Sequence, residues 1–413
     1  MTKYNMKDIK VDFIGNPGLR GSFSQALRGF AVAIGEDVDL SIPGWGNGHE
    51  PNVMSEELTT KIGKYGIKPF RVPDLIIRFE IPSYYKQLQP KQLGYLPWGT
   101  SKLPSQKISL PSSNLSPDDF FWPGKCNLLD GIISPSLWTT DVLTKSGVTV
   151  PVLPLGGPVD TSVFYKRDLI GKGFVGITHK PDGTPIPKEE RRFVIGMVAD
   201  WNLRKNIESF LKSSLVAVPP NKAVIALKTF TSHPNGGRDA IIKKINNLKT
   251  SMKLKDLPPI ILIDDPLNEV EMADFYNSLD VYVCTSRAEG VNLALLEAMA
   301  CECTVIASGC SCNIEYLKSG GGIIVPVSHD IVSYEEDGMY SSPIWYQGDM
   351  VWSKLSELEL LTAINAVFNI TMSKDLTKMI EQRKLARKIV EENYSINAIR
   401  QKLLKHIRKT LGD

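Results

Sequence analysis

Short apolar runs alternate with amphipathic stretches along most of the chain, and their two periods separate strands from helices. In the first half IKVDFIG (9–15) reads as a strand that runs into the glycine-rich GNPGLRGS (15–22) and then the helical FSQALRGFAVAIG (23–35). Further strand-like runs are VDLSI (38–42), DLIIRFE (74–80) and DGIISPS (130–136). A Pro- and Ser-rich stretch from Pro97 to Pro123 reads as ordered loop. Proline then punctuates VTVPVLPLGGPVDTSVF (148–164), as expected of an interdomain connection.

After the charged, glycine-containing loop 166–192, strands and helices alternate regularly. FVIGMVADW, KAVIALKTF, PPIILIDD, DVYVCTS, TVIAS and GGGIIVPV are the strands. RKNIESFLKSSLVAV, IIKKINNLKTSM, NEVEMADFYNSL and LALLEAMAC are the helices between them. This order predicts a doubly wound parallel sheet that binds its ligand at the carboxyl ends of its strands. The tail 375–411 reads as helix with a break at Tyr394-Ser395.

Length and composition change this picture little. A chain of 413 residues exceeds what one core usually supports, so two domains are expected. A net charge of +3 demands neither a nucleic-acid nor a membrane partner. Apolar runs such as PPIILI (258–263) and GIIVPV (322–327) are too short to span a bilayer, and the first residues carry no signal-peptide core. Cys126, Cys284, Cys301, Cys303, Cys310 and Cys312 include two C-x-C pairs, whose spacing is not that of a zinc site, and they read as reduced thiols. The expected location is cytoplasmic, with peripheral attachment to a membrane left open.

The chemistry gathers where strands end. Glu289 falls at the turn between a strand and a helix, where outward N–H groups favour phosphate or a polar ring. Glu297 lies eight residues on, in an apolar helix, and suits the vicinal hydroxyls of a ribose. Arg204 and Lys205 follow ADWNL, and Lys228 ends VIALK; together they could neutralise a diphosphate leaving group. Each basic residue alone would be an ordinary solvated charge, but all lie after strands of one sheet. Gly15, Gly18 and Gly21 free the first loop to approach a ligand, yet the spacing is not G-x-G-x-x-G and no G-K-S/T occurs. The histidines at 49, 179, 233, 329 and 406 form no H-E-x-x-H motif and no partner for a nucleophile. What remains is phosphate neutralisation with carboxylate–hydroxyl recognition, the chemistry of transfer from a sugar nucleotide.

EGVNLALLEAMAC (289–301) resembles the E-x7-E signature of the retaining glycosyltransferases of family 4, and SPSLWTTDVLTKSGVTVPVLPLGGPVDTSVF resembles that family's interdomain segment. NEVEMADFYNSLDVYVCTSRAEG matches its helix, aspartate and strand. The resemblance implies a GT-B fold, with two Rossmann-like doubly wound domains facing a central cleft. Residues 1–160 would be the acceptor side, 161–385 the donor side, and 386–413 a C-terminal helix crossing back. It implies that Glu289 holds the donor sugar and that Glu297 binds the ribose. Backbone groups of Gly290, Val291, Asn292 and Leu293 would meet sugar and phosphates. Lys205, helped by Arg204 or Lys228, would serve the diphosphate, over which the loop at Gly18 and Gly21 would close. It further implies a hexosyl- or pentosyltransferase with retention by front-face attack, no metal and no cofactor, the nucleoside-diphosphate sugar (UDP- or GDP-linked) being a substrate. Asn292 and Ala294 depart from the glycine and proline common in that loop, and no histidine takes the usual acceptor-side position.

The acceptor stays open among a glycan, a lipid-linked molecule and, as a lesser alternative, a modified nucleic-acid base. Lysines and arginines between Lys61 and Lys107, interleaved with Tyr65, Phe70, Tyr84, Tyr85, Tyr95 and Trp98, would suit an anionic acceptor, or would simply be a solvated mixed surface. The competing function is a catalytically silent nucleotide-sugar-binding protein in a glycan pathway.

Overall fold

The alternating runs fold into two parallel sheets whose inner strands, such as Leu75–Arg78, Gly131–Ser134, Val281–Cys284 and Thr304–Ser308, are buried on both faces, as continuous apolar strands require. The computed structural model describes residues 5–107, 114–169, 174–187, 190–230, 237–331, 345–347, 349–373 and 375–412. The first sheet contains β1 (Lys10–Ile14), β2 (Asp39–Ser41), β3 (Leu75–Arg78), β4 (Lys91–Tyr95), β5 (Gly131–Ser134) and β6 (Val152–Pro154), in the order β2-β1-β3-β4-β5-β6. The second contains β7 (Phe193–Asp200), β8 (Ala223–Phe230), β9 (Ile260–Ile263), β10 (Val281–Cys284), β11 (Thr304–Ser308) and β12 (Ile323–Val325), in the order β12-β11-β10-β7-β8-β9. An antiparallel pair, β13 (Val327–Ile331) and β14 (Val351–Leu355), follows. The helices are α1 (Ser22–Ile34), α2 (Glu56–Gly63), α3 (Trp122–Cys126), α4 (Leu137–Lys145), α5 (Ile207–Ala217) and α6 (Arg238–Met252), then α7 (Glu269–Ser278), α8 (Leu293–Ala300), α9 (Ser311–Leu317), α10 (Glu357–Ser373), α11 (Thr377–Asn393) and α12 (Ile396–Leu411).

Strand order locates the crevice. In the second sheet β7 lies between β8 and β10, so the connections leaving β7 and β10 run to opposite sides and part at their carboxyl ends. In the first sheet β1 lies between β2 and β3 in the same way. Ligands of open α/β sheets bind at such switch points. The loop after β1 is the glycine-rich one, and the loops after β7 and β10 carry Arg204, Lys205 and Glu289.

The chain returns to its first half at the end. Val159 N–H donates to Tyr394 O at 2.8 Å and Ile396 N–H to Val159 O at 3.1 Å, joining the linker to the break before α12. Ile399, Leu403 and Ile407, spaced four apart, are fully buried in the core beneath α1.

Several elements differ from the sequence expectations. β4 lies in KQLGY, too polar to read as a buried strand, and β6 lies in the proline-punctuated connection. GIIVPV is divided by Pro326 into β12 and β13, which belong to different sheets, because proline has no N–H for the ladder. Arg204 and Lys205 precede the helix: Leu203–Lys205 is a 3₁₀ turn capped by Asn202, and left-handed Asn206 (φ 53°) separates it from α5. His233, part of the loop 166–192 and part of the Pro/Ser stretch lie outside the described residues.

Candidate active site

The turn after β10 buries a carboxylate among cations. Glu289 is 3% exposed; Lys205 Nζ lies 2.5 Å from its Oε1 and Arg204 Nη1 2.9 Å from its Oε2. Arg204 also donates to Ala288 O at 2.6 Å, and Arg287 N–H donates to Arg204 O at 2.7 Å, so two loops are tied together. Burial pushes the Glu289 carboxyl up, but the charges of Lys205 and Arg204 outweigh it and hold the group well below the usual carboxylate range. The side chain is therefore a fixed, ionised acceptor beside two cations.

Eight residues on, α8 carries Glu297 at 5% exposure. Asn292 begins α8: its Oδ1 accepts from Leu295 N–H at 3.2 Å and its Nδ2 donates to Asn313 Oδ1 at 2.9 Å. The amide of Asn292 is thus spent as a helix cap, and only its backbone is free to serve a ligand. Glu297 Oε2 accepts from Tyr276 Oη at 2.9 Å, and Oε1 accepts from Gln25 Nε2 on α1, in the other half of the chain. Burial raises the Glu297 carboxyl to about 7, against the opposing hydrogen bonds of Tyr276 and Gln25.

That shift has a sign that can be measured. With its pKa raised from 4.5 to about 7, Glu297 binds more protons in the native than in the unfolded chain across that window. Stability present below pH 4.5 is therefore lost as pH rises through 7. Glu297→Gln cannot lose it, so its stability relative to the parent should grow between pH 5 and 8 by up to roughly 3 kcal/mol. Denaturant unfolding of both proteins at several pH values checks this; a constant difference would refute it.

Across the crevice α1 begins without a side-chain cap at Gly21, whose φ of 111° favours glycine. A Cβ there would meet nothing within 4 Å, so the N-terminus of α1 opens on free space. Gly18 packs instead on His49, 2.3 Å from where its Cβ would stand. Arg28, which the sequence did not single out, shapes this loop by donating to Pro17 O at 2.6 Å and Leu19 O at 3.0 Å. Arg20, equally overlooked, pairs with Glu50 at 2.6 Å and lies 5.3 Å from the centroid of the Phe230 ring. Lys228 faces Arg20 from β8; burial, and then Arg20, push its ammonium down to about 8.

Two adjoining cavities result. One, of about 710 Å³, is lined by Arg204, Lys205, Lys228, Glu289 and residues 290–293. The other, of about 300 Å³ and more apolar, is lined by Glu297, Tyr276, Leu267 and Met272. Arg20, Gly21, Gln25, Lys228 and Phe230 border both. The structure thus brings Arg204, Lys205, Lys228, Glu289, Glu297, Gly290, Val291, Asn292, Leu293 and Gly21 to one cleft system, while Gly18 supports the loop from behind.

The halves meet closely here. Gly290 O accepts from Ser136 Oγ and Thr139 Oγ1, both at 3.2 Å, and Asn52 Nδ2 donates to Pro266 O at 2.9 Å. Gln347, just before β14, accepts at Oε1 from Ser105 N–H at 2.9 Å.

The basic, aromatic acceptor face of the sequence reading takes a different form. Lys64, Lys68, Arg71, Arg78, Lys91, Lys102 and Lys107 are all ion-paired with acids, and Tyr65, Tyr85 and Tyr95 are buried in the core. Charge counting along the chain missed the acids because most of them are remote in sequence. All six cysteines are buried thiols, and among the described residues no group of three or more His, Cys, Asp or Glu could hold a metal ion. Among the described residues no helix is long and apolar enough to cross a membrane.

Known proteins share this architecture. Residues 237–334, about a quarter of the chain, match the family described as glycosyl transferases group 1. Sucrose-phosphate synthase from Thermosynechococcus elongatus superposes with a TM-score of 0.65 at 16% identity, over 97% of this chain and 98% of that one. Anabaena Alr3699/HepE in complex with UDP and glucose gives 0.60 at 13% identity over 97% and 100%. A glycosyltransferase from Rickettsia africae gives 0.59 at 14% over 99% and 100%. No curated protein sequence matches the chain. The fold is GT-B, an α/β fold of two domains, and the matched segment together with that fold supports a glycosyltransferase.

Proposed function

We propose that the protein is a retaining glycosyltransferase of the E-x7-E type that moves a sugar from a nucleoside diphosphate, with UDP the first choice of carrier and GDP the second. One observation carries the reading: a buried ionised glutamate with two cations, a second buried glutamate and an uncapped helix N-terminus meet at the facing switch points of two sheets. In this reading Glu297 takes the ribose hydroxyls, and the start of α1 with Lys228 and Arg20 takes the diphosphate. Lys205 and Arg204 meet the charge that develops on the leaving phosphate. Glu289 holds the donor sugar by its hydroxyls, and the acceptor attacks on the face from which the diphosphate departs, so configuration is kept. Residues 1–160 form the acceptor side, 161–385 the donor side, and the segment from 386 closes the two together. The structures of Anabaena Alr3699/HepE with UDP and glucose favour a uridine carrier here.

Donor hydrolysis tests the reading. Incubation with a panel of UDP- and GDP-sugars should release nucleoside diphosphate slowly with one of them, and Lys205→Ala should slow that release by about 10²-fold or more. Nucleotide binding with no turnover on any donor would replace the enzyme by a nucleotide-sugar-binding protein.

A further inference from the structure

The two cavities share part of their lining. Glu289 lines only the larger and Glu297 only the smaller, while Gln25 borders both. Gln25 sits in the first turn of α1 and donates its amide N–H to Glu297 Oε1, whereas Tyr276 holds Oε2 from the same half as Glu297. The Gln25–Glu297 bond therefore stands at the border of the two cavities. A donor that reaches both glutamates spans this border. With Glu297 only 5% exposed and its Oε2 held by a buried tyrosine, the other oxygen, Oε1, is the one Gln25 occupies.

We propose that Gln25 is a built-in competitor of the donor: its amide occupies the place at Glu297 that a ribose hydroxyl takes, and it must swing aside before a nucleotide binds. The proposal rests on Glu297 as the ribose carboxylate. Two features suit Gln25 to the task. An amide N–H and a sugar hydroxyl make the same kind of bond to a carboxylate, so one replaces the other with little loss. Gln25 also belongs to the half opposite Glu297, so its bond helps to hold the nucleotide-free cleft closed, a tie that the bound nucleotide replaces. Gln25 is thus a positioning residue that sets affinity.

The test uses Gln25→Met, which keeps the length of the side chain and removes the donor. UDP and GDP are titrated calorimetrically into the parent and the variant, and small-angle scattering follows each protein without nucleotide. The variant should bind the nucleotide about tenfold more tightly, the scale of one hydrogen bond to a charged group, and show a larger radius of gyration. In a Glu297→Ala background, Gln25→Met should change neither quantity. If the parent binds nucleotide and the variant binds it equally or more weakly, competition is overturned, and weaker binding would make Gln25 a direct nucleotide contact. If the parent binds neither nucleotide, the ribose reading itself falls and takes the competition with it.

Discussion

Glu289→Gln is expected to slow sugar transfer by about 10²–10³-fold, the scale seen when one aligned polar group is lost from a reacting centre. The amide fills the same volume but lacks the charge, and one of its two polar ends is a donor facing the donors Lys205 and Arg204. The donor sugar then loses a fixed acceptor for its hydroxyls. Nucleoside diphosphate, in contrast, should bind the variant at least as tightly as the parent. Lys205 and Arg204, no longer neutralised, present more positive charge to its phosphates. Removing one member of a buried ion pair costs a few kcal/mol of stability; here the cost is reduced because Arg204 and Lys205 each keep about a fifth to a quarter of their side-chain surface in solvent. Turnover of the parent's donor and calorimetric binding of the diphosphate separate the two effects. Unchanged turnover would remove Glu289 from the reacting centre, and weakened diphosphate binding would overturn the electrostatic account of the site.

Much of this site was visible in the sequence because its parts are local. A strand, a turn glutamate and an apolar helix with a second glutamate lie within twenty-one residues, and both periods are clean there. The alternation through residues 193–325 foretold a parallel sheet for the same reason. What stayed hidden depends on long-range packing. Gln25 is an unremarked polar residue on an amphipathic helix, and only the apposition of the halves brings it to Glu297, 272 positions away. Nothing in the local pattern marks Arg20 and Arg28; Phe230, Pro17 and Leu19, placed around them by the fold, give them their roles. Asn292 stood out as a departure from the glycine common in its loop; a neighbouring helix, α9, claims its amide. The basic run between Lys61 and Lys107 hid its acidic partners, for Lys102 finds Asp349 from beyond the second sheet. Local pattern gives the chemistry at strand ends, while the pairing of one half with the other cannot be read from either half alone.

Gly290→Ala is expected to abolish transfer, with a loss of about 10²-fold or more, although it adds a single methyl group. That methyl would stand 2.5 Å from both Pro97 C and Trp98 N and 2.6 Å from Trp98 O, all backbone atoms of the opposite half. No rotamer can relieve a contact with backbone, so the halves must separate by nearly an ångström to restore ordinary contact. The Ser136 and Thr139 bonds to Gly290 O, at 3.2 Å, would lengthen out of range together. Misplacement of that size is enough to cost about 10²-fold where reacting groups must be aligned. The second half folds around its own two cores, so nucleotide affinity should fall far less than turnover. Gly46→Ala is the control, since a Cβ there meets nothing within 4 Å and should leave both quantities unchanged. Measuring turnover, nucleotide affinity and radius of gyration for the three proteins decides the matter. A Gly290→Ala protein that transfers sugar at the parent's rate would mean that the closed apposition of Gly290 with Pro97 and Trp98 is not the reacting geometry, whereas equal losses in affinity and rate would place the defect in nucleotide binding instead of in closure.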